Sequence, residues 1–329
     1  MADHLLSIRD LVVQFDAAHF TVRALEGVSL DLHRGRVLGV VGESGCGKSV
    51  TARATLGILD HPGRVVSGRI LLDPGTDAET DITKLPADGP RIRAIRGGRI
   101  GLIFQEPMTA LSAHYTVGNQ IIEAVRVHAD LSKSAARDKA VSLLRDVGIP
   151  RPETRIDAYP FQLSGGLRQR VGIALALAGD PDILIADEPT TALDVTTQAQ
   201  ILALLRRLQR EKRMALMLIT HDMGVIAEMA DDVAVMYLGR VAEVAPARAL
   251  FAAPRHPYTR ALLRSVPSML AGPRQRLATI GGAVPHPAAR PSGCAFHPRC
   301  VEIIPGRCAI EMPSPVPNDA AGASCFRAA

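Results

Sequence analysis

The sequence contains no tryptophan, and aromatic residues make up only 3% of its 329 residues. Proteins that bind single-stranded nucleic acid stack bases on aromatic side chains, so the composition speaks against that class. No apolar run approaches the roughly 18 uncharged residues that a membrane-spanning helix needs. The first residues, MADHLLSIRD, carry acids and no apolar core, so we expect no secretory signal. These absences predict a chain that stays in a reducing compartment.

Cysteine is scarce outside the C-terminal tail. Four of the five cysteines lie in the last 36 residues, at Cys294, Cys300, Cys308 and Cys325, and the fifth is Cys46. Disulfides are disfavoured in a reducing compartment, so four clustered thiols indicate a metal centre. The close cysteine pairs of structural zinc sites and the simple ferredoxin spacings are both missing. The spacing therefore leaves zinc, an iron–sulfur cluster and free thiols open.

Charge of neither sign dominates: the sequence has 38 Lys and Arg and 33 Asp and Glu, which gives a net charge of +5. The densest basic run, RRLQREKR at residues 206–213, ends a segment with helical apolar spacing. Basic residues at a helix C-terminus interact favourably with the helix dipole. We interpret the run as a solvated helix face and expect no nucleic-acid partner.

Short apolar runs alternate with segments of helical period along most of the chain, which predicts an α/β core with a mostly parallel sheet. The runs Val37–Val41, Ile183–Ala186 and Ala215–Ile219 are typical of strands buried on both faces. Residues 116–178 have a mainly helical pattern. Thirteen of the 23 prolines follow residue 245, and we expect an extended, loop-rich tail there.

The first chemical signal is a glycine-rich loop between an apolar strand and a helical segment. Its residues, Gly42-Glu43-Ser44-Gly45-Cys46-Gly47-Lys48-Ser49, fit the G-x4-G-K-[ST] pattern. In such loops backbone N–H groups at a helix N-terminus surround an anion. Lys48 would reach the β- and γ-phosphates of a nucleotide, and Ser49 would hold Mg²⁺.

Two further apolar strands end in residues suited to phosphate chemistry. Asp187 and Glu188 follow the strand at 183–186, and His221 follows the strand at 215–219. Carboxyl ends of parallel strands are where ligands bind in α/β sheets. Asp187 is suited to Mg²⁺, Glu188 to the activation of water, and His221 to contact with the γ-phosphate.

A second anion site is predicted at Ser164-Gly165-Gly166, which opens another helical segment. One nucleotide rarely needs two such sites from one chain. The economical solution is a dimer in which this site of one copy covers the nucleotide held by the other.

Together these segments resemble the nucleotide-binding subunits of ATP-binding-cassette (ABC) transporters over about residues 5–245. The resemblance rests on the Walker A loop at 42–49, Gln105 in LIFQEP, LSGG at 163–166, Walker B at 183–188 and TALD ending in Asp194. It implies a P-loop cassette with a RecA-like core, an antiparallel β-subdomain and a helical signature subdomain at about 110–178. Residues 246–329 would form a cysteine-rich extension.

The resemblance also implies roles for single residues. Gln105 would sense Mg²⁺ and the γ-phosphate, and Asp194 would communicate across the dimer. Phe15 is the candidate for stacking on adenine, with Phe20 as the alternative. Leu167 replaces the usual glutamine after the signature, a departure shared with the subgroup described next. Because the catalytic side chains are complete, we expect ATP hydrolysis.

A narrower resemblance is to the dipeptide, oligopeptide and nickel importers, through SGGLRQRV, ADEPTTALDVTTQAQIL, HPYTRALLRSVP and the cysteine tail. It implies a [4Fe–4S] cluster on the four tail cysteines. It also implies a second, different ATPase subunit, two membrane permeases and indirectly a solute-binding protein, at the cytoplasmic face of the bacterial inner membrane. Where FQEPMT is usually followed by SLNP, residues 110–113 read ALSA, so contacts to the membrane subunit are expected to differ.

Two other functions fit parts of the pattern. A soluble cassette ATPase acting on nucleic acid or ribosomes would carry a long coiled coil or two cassettes, and neither is seen. An iron–sulfur sensor that only binds nucleotide would not need Glu188 and His221. The importer subunit accounts for both the motifs and the tail.

Overall fold

A computed structural model describes residues 4–16, 20–106, 110–266, 279–317 and 321–328. Its strands are β1 His4–Asp16, β2 Thr21–His33, β3 Val37–Val41, β4 Gly63–Leu72, β5 Thr80–Asp81, β6 Ile100–Ile103, β7 Ile183–Asp187, β8 Ala215–Ile219, β9 Asp232–Tyr237, β10 Arg240–Pro246 and β11 Gly322–Ala323. Its α-helices are α1 Lys48–Thr55, α2 Pro90–Ile95, α3 Val117–His128, α4 Lys133–Asp146, α5 Pro152–Arg155, α6 Gly165–Ala176, α7 Val195–Lys212, α8 Met223–Met229, α9 Ala247–Ala252 and α10 Pro257–Arg264.

The chain divides into two compact units. The first contains residues 1–32, 37–84 and 220–329, and the second contains residues 33–36 and 85–219. The expected division into residues 1–245 and 246–329 follows motif content and stays a prediction. Residues 107–109, part of the expected membrane-subunit contact, lie outside the described ranges.

The first unit contains an antiparallel sheet with strand order β2-β1-β4-β5. Strands β1 and β4 pair from Leu6↔Leu72 to Phe15↔Gly63, with register shifts near Val12. Alternate side chains of β1 are buried along part of its length, as expected of a sheet with one covered face. This is the predicted antiparallel β-subdomain.

A second group of strands in the first unit places β3 next to β9, in parallel, followed by β10 and β11 in antiparallel pairs. All five residues of β3 are buried. Helix α8 packs closely on this strand, because a Cβ added at Gly39 would lie 2.6 Å from Ile226 Cδ1. The apolar run therefore forms the buried strand that the sequence predicts, and it leads directly into the glycine-rich loop.

The second unit contains three parallel strands, with β7 between β6 and β8. Every residue of β7 and β8 is buried. Thr116 and Ser132 are the N-cap residues of α3 and α4, and their hydroxyls accept N–H bonds from Asn119 and Ala135 at 3.2 Å. These caps satisfy backbone donors that a helix start leaves unpaired. Helices α3–α6 form the predicted helical part of the chain.

No helix among the described residues has both the length and the apolar character required to cross a bilayer.

Candidate nucleotide site and cysteine pocket

The glycine-rich loop connects β3 to α1, and its glycines adopt backbone angles that other residues rarely reach. Gly42, Gly45 and Gly47 have φ values of 153°, 77° and 104°. A Cβ at Gly42 would lie 2.1 Å from Met236 O, and one at Gly47 would lie 2.6 Å from Leu25 Cδ2. Only glycine fits at these two positions. The loop therefore turns its backbone toward the N-terminus of α1, the arrangement that binds phosphate.

Lys48, the first residue of α1, has a side chain held under the loop. The residue is 5% exposed. Its Nζ donates to Gly42 O at 2.7 Å and to Glu43 O at 3.2 Å. Ser44 and Gly45 at the loop tip are exposed. A cation held against backbone carbonyls below an open loop is suited to neutralise an incoming phosphate.

Cys46 lies inside the same loop and is 2% exposed. Its Sγ is 3.8 Å from Lys48 Nζ. Burial raises the pKa of the Cys46 thiol, although the neighbouring lysine acts in the opposite direction. The thiol is therefore protonated and weakly reactive at neutral pH.

In the second unit, the predicted catalytic acid and the predicted sensor glutamine touch each other. Glu188 follows the buried Asp187 at the end of β7 and has a left-handed backbone with φ 47°. Its Oε2 accepts hydrogen bonds from Gln105 Nε2 at 3.0 Å and from Thr191 Oγ1 at 2.9 Å. The sequence predicted both residues but not this contact, since the two are 83 positions apart.

The predicted signature lies at the start of α6. Ser164 is the N-cap residue but its side chain makes no capping hydrogen bond, and Ser164 and Gly165 are exposed. A Cβ at Gly166 would lie 2.7 Å from Thr197 Cγ2, so α6 begins against the start of α7. The N-terminus of α6 is therefore exposed, and a helix N-terminus of this kind can bind an anion.

Asp194 is the N-cap residue of α7, and it bonds to Thr197, the residue that lies beside Gly166. Its carboxylate accepts bonds from Thr197 N at 2.9 Å and Thr197 Oγ1 at 2.6 Å. The hydroxyl bond is the main reason why the pKa of Asp194 is lowered. Thr197 thus links the signature glycine to Asp194, which the sequence did not indicate.

His221 is exposed and belongs to the first unit. It lies between Thr220, whose N–H donates to Val40 O at 3.2 Å, and Asp222, which caps α8 through Gly224 N at 2.7 Å. Its backbone position is therefore fixed on both sides.

The aromatic candidates differ in exposure. Phe15 is half-buried near the end of β1, and its ring lies over Gly63, where a Cβ would be 2.5 Å from Phe15 Cε1. Phe20 is 54% exposed. Stacking of either ring on adenine stays a prediction.

The four tail cysteines gather around one cavity in the first unit, although up to 31 positions separate them in the sequence. The cavity is lined by Cys294, Cys300, Cys308 and Cys325, together with His256 and Phe296. Burial raises the pKa of the Cys294 and Cys300 thiols, and their sulfur neighbours act in the same direction. Within the described ranges, however, no three His, Cys, Asp or Glu side chains stand in metal-binding geometry.

Two of the four tail sulfurs accept hydrogen bonds from backbone N–H groups. Ile304 N donates to Cys308 Sγ and Arg327 N donates to Cys325 Sγ, each at 3.4 Å. Such N–H bonds to sulfur are among the contacts that tune iron–sulfur clusters. The cavity thus brings four sulfurs together, and two of them accept backbone N–H bonds.

Comparison with known proteins identifies the family. Residues 25–191 match the ABC transporter family, and residues 242–308 match the C-terminal region of oligopeptide/dipeptide transporters. The dipeptide transport ATP-binding protein DppD of Escherichia coli K12 is 48% identical over 310 residues, covering 94% of this chain and 92% of that protein. DppD of Bacillus subtilis is 48% identical over 300 residues, covering 91% and 87%.

Solved structures agree with the fold. The dimeric post-hydrolysis structure of the ATP-binding cassette MJ0796, bound to ADP and Pi, has a TM-score of 0.64 and 26% identity, covering 74% of this chain and 99% of that chain. CbiO1 from Clostridium perfringens has a TM-score of 0.62 and 30% identity, covering 76% and 92%. The predicted family and the predicted cassette fold are thus confirmed, and this chain belongs to the ATP-hydrolysing subunits of ABC transporters.

Proposed function

We propose that this chain supplies the energy for a peptide importer, through ATP hydrolysis at the glycine-rich loop. The observation that carries the substrate class is similarity to dipeptide transport ATP-binding proteins over nearly the full chain. The buried Lys48 beneath an exposed loop supports nucleotide binding at residues 42–49. A related small solute is the alternative cargo.

Nucleotide binding is assigned to the loop and its helix. The backbone around Gly42, Gly45 and Gly47 and the hydroxyl of Ser44 would surround the phosphates, with Lys48 as the charge partner. Phe15 would stack on the adenine ring.

Magnesium would be held by oxygen ligands from Ser49, Gln105 and Asp187. A hydroxyl, an amide oxygen and a carboxylate are donors that Mg²⁺ prefers. When bound, Mg²⁺ would supply positive charge to the transferred phosphoryl group.

Hydrolysis is assigned to Glu188 as general base. Its carboxylate would accept a proton from water while the water oxygen forms a bond to the γ-phosphorus and the bond from that phosphorus to the ADP oxygen breaks. The bond from Gln105 orients the carboxylate. His221 would hydrogen-bond the γ-phosphate oxygens.

The exposed signature of this chain would complete the nucleotide site of a second ATPase subunit. Ser164, Gly165 and Gly166 would bind the γ-phosphate held there, and Asp194 would signal occupancy through the α7 cap. We propose that this partner is a different subunit. ATP would close the pair, and hydrolysis would reopen it.

The remaining partners follow from the same proposal. Two permease subunits would convert the closing motion into passage of solute delivered by a binding protein, with this chain attached peripherally at the cytoplasmic face of the inner membrane. No nucleic-acid partner is proposed. Arg207 in the basic run is occupied by Glu211 and by the carbonyl of Asp146.

The enzymatic part of the proposal is tested with Lys48→Ala and Glu188→Gln. Lys48→Ala removes the buried charge and should weaken ATP binding at least about tenfold. Glu188→Gln should keep ATP affinity and lower turnover at least about a hundredfold, because the general base is lost. Equilibrium binding of a fluorescent ATP analogue and phosphate release measure the two effects.

Lys84→Ala is the matched control, since the Lys84 side chain is 77% exposed. Unchanged affinity in Lys48→Ala would remove the loop from nucleotide binding, and near-normal turnover in Glu188→Gln would remove Glu188 from the base role. In membrane vesicles containing the permeases, uptake of labelled dipeptide should require ATP and should fail with Glu188→Gln. If the vesicles take up a different solute and no peptide, the assigned cargo is wrong.

The four tail cysteines are proposed to hold a [4Fe–4S] cluster that keeps the proline-rich tail in shape, because metal binding can supply folding energy. Zinc is the competing ligand. Anaerobically purified protein should be brown and contain iron and acid-labile sulfide, and Cys308→Ser should lose both while Cys46→Ser retains them. Colourless protein with stoichiometric zinc, or with neither metal, would contradict the cluster.

A further inference from the structure

Residues of the C-terminal part of the chain hold the phosphate-binding loop in place, and they do so by contacting Glu43. The Glu43 carboxylate accepts two hydrogen bonds from the Arg299 guanidinium, 2.6 Å from Nη1 to Oε2 and 3.0 Å from Nη2 to Oε1. The side chain of Arg299 is only 3% exposed, and that of Glu43 is 26% exposed. A bidentate pair of this kind fixes both position and orientation.

The backbone of Glu43 is fixed at the same time. Its N–H donates to the hydroxyl of Tyr258 at 2.9 Å, and its carbonyl accepts a bond from Lys48 Nζ at 3.2 Å. Tyr258 is fully buried in α10. Glu43 thus joins the lysine of the loop to two residues that follow it by more than 200 positions.

Arg299 is itself well anchored. Its Nε donates to Gly281 O at 3.0 Å, and its Nη1 donates to the Tyr237 hydroxyl at 3.4 Å. Tyr237, Tyr258 and Phe296 pack ring to ring with centroids 4.7–5.3 Å apart. Arg299 also directly precedes Cys300. The anchor of the loop therefore belongs to the same packed segment as the cysteine pocket.

We propose that Arg299 is a positioning residue for ATP binding: it neutralises Glu43 and holds the phosphate-binding loop in the shape that accepts a triphosphate. The charge of Glu43 is the reason a neutralising partner matters, because an unpaired carboxylate in this loop would repel phosphate. The proposal rests on the proposed phosphate-binding role of residues 42–49. Under this proposal, the C-terminal segment contributes to nucleotide binding by positioning the loop.

The test measures ATP affinity and steady-state kinetics in the full-length protein. Arg299→Gln should weaken binding of a fluorescent ATP analogue about tenfold, within the usual range of coupling between two sites. Its KM for ATP should rise by a similar factor while kcat at saturating ATP stays within about twofold, because Arg299 does not touch the reacting atoms. Arg299→Lys keeps the charge with fewer donors and should lie between wild type and Arg299→Gln.

A double-mutant cycle with Glu43→Gln isolates the pair. Because the effects arise from one interaction, the double variant should bind ATP no more weakly than Arg299→Gln alone. Arg307→Gln is the control: Arg307 is in the same segment, but its half-exposed pair with Glu311 makes no contact with the loop. Thermal unfolding without nucleotide identifies any variant that fails to fold, and Glu43→Gln then tests the pair without altering the C-terminal segment.

The outcomes separate the two proposals. Weakened binding in Lys48→Ala with wild-type KM in both Arg299→Gln and Glu43→Gln would overturn the positioning role and leave the loop assignment intact. Independent, additive effects of the two substitutions would also overturn it. Unchanged affinity in Lys48→Ala would overturn the loop assignment itself.

Discussion

At the scale of single residues, Lys48 and Glu188 share a feature: hydrogen bonds with neighbouring groups restrict each side chain. Lys48 is bound by backbone carbonyls, and Glu188 is bound by Gln105 and Thr191. A charged group restricted to one orientation contributes more to binding or catalysis than a mobile one, because its ordering entropy has already been lost. Substitutions of Gln105 or Thr191 should therefore lower turnover more than they lower stability.

Cys46 gives a prediction at this scale. Alkylation of Cys46 should abolish ATP binding, because the added group would fill the space beneath the phosphate-binding loop, where the thiol is 2% exposed. Burial also raises the thiol pKa, so the thiol of Cys46 should react slowly. Mass spectrometry of peptides would follow the modification, and a fluorescent ATP analogue would report binding.

Cys46→Ser provides the control, since it should bind ATP after the same treatment. Full ATPase activity in protein whose Cys46 is confirmed as modified would refute this prediction.

At the scale of secondary-structure elements, glycines set how closely neighbours approach. In the second unit, β6 passes the C-terminal end of α6 at Gly101, where a Cβ would lie 2.4 Å from Ala176 O. The signature helix ends at that contact, so the strand and the helix can adopt this spacing only with glycine. The opposite case is Gly172 within α6, which has nothing within 4 Å of an added Cβ.

The two glycines make a matched pair of substitutions. Gly101→Ala should lower the free energy of unfolding by about 2 kcal/mol, because the backbone must move to relieve the overlap. Gly172→Ala should leave it unchanged or raise it by up to about 1 kcal/mol, because alanine has the higher helix propensity. Urea unfolding followed by circular dichroism measures both, and equal stability of the two variants would contradict the packing argument.

At the scale of the whole molecule, we propose that the exposed signature faces a partner subunit. Ser164 and Gly165 are exposed at the start of α6, and a helix N-terminus attracts the phosphate of a ligand bound elsewhere. The cassette family and the dimeric solved relative agree with pairing. The pairing should therefore depend on nucleotide.

Glu188→Gln should form a stable ATP-dependent dimer, because slow hydrolysis leaves the bound triphosphate in place. Sedimentation would be measured with ATP and with ADP, for the chain alone and for its mixture with the second ATPase subunit of the transporter. Ser164→Arg, which places bulk and charge at the signature, should prevent association. If the chain stays monomeric at saturating ATP, both alone and mixed with the second subunit, the sandwich arrangement is contradicted.

Contiguous segments of the sequence were enough to predict the candidate site motifs. The glycine-rich loop, the acid pair after β7 and the signature at the start of α6 each need a few adjacent residues in a fixed local conformation. Local backbone preferences and hydrophobic pattern are sufficient to predict such segments. The alternating strands and helices and the helical region were predictable for the same reason.

Contacts between residues that are distant in the sequence are visible only in the folded chain. Gln105 meets Glu188 across 83 positions, and Arg299 meets Glu43 across 256. The four tail cysteines line one cavity despite spacings that match no simple metal motif. Such contacts depend on how packed elements bring remote segments together, which a pattern along the chain does not encode. The proposed positioning of the phosphate-binding loop by Arg299 also depends on such a contact between distant residues.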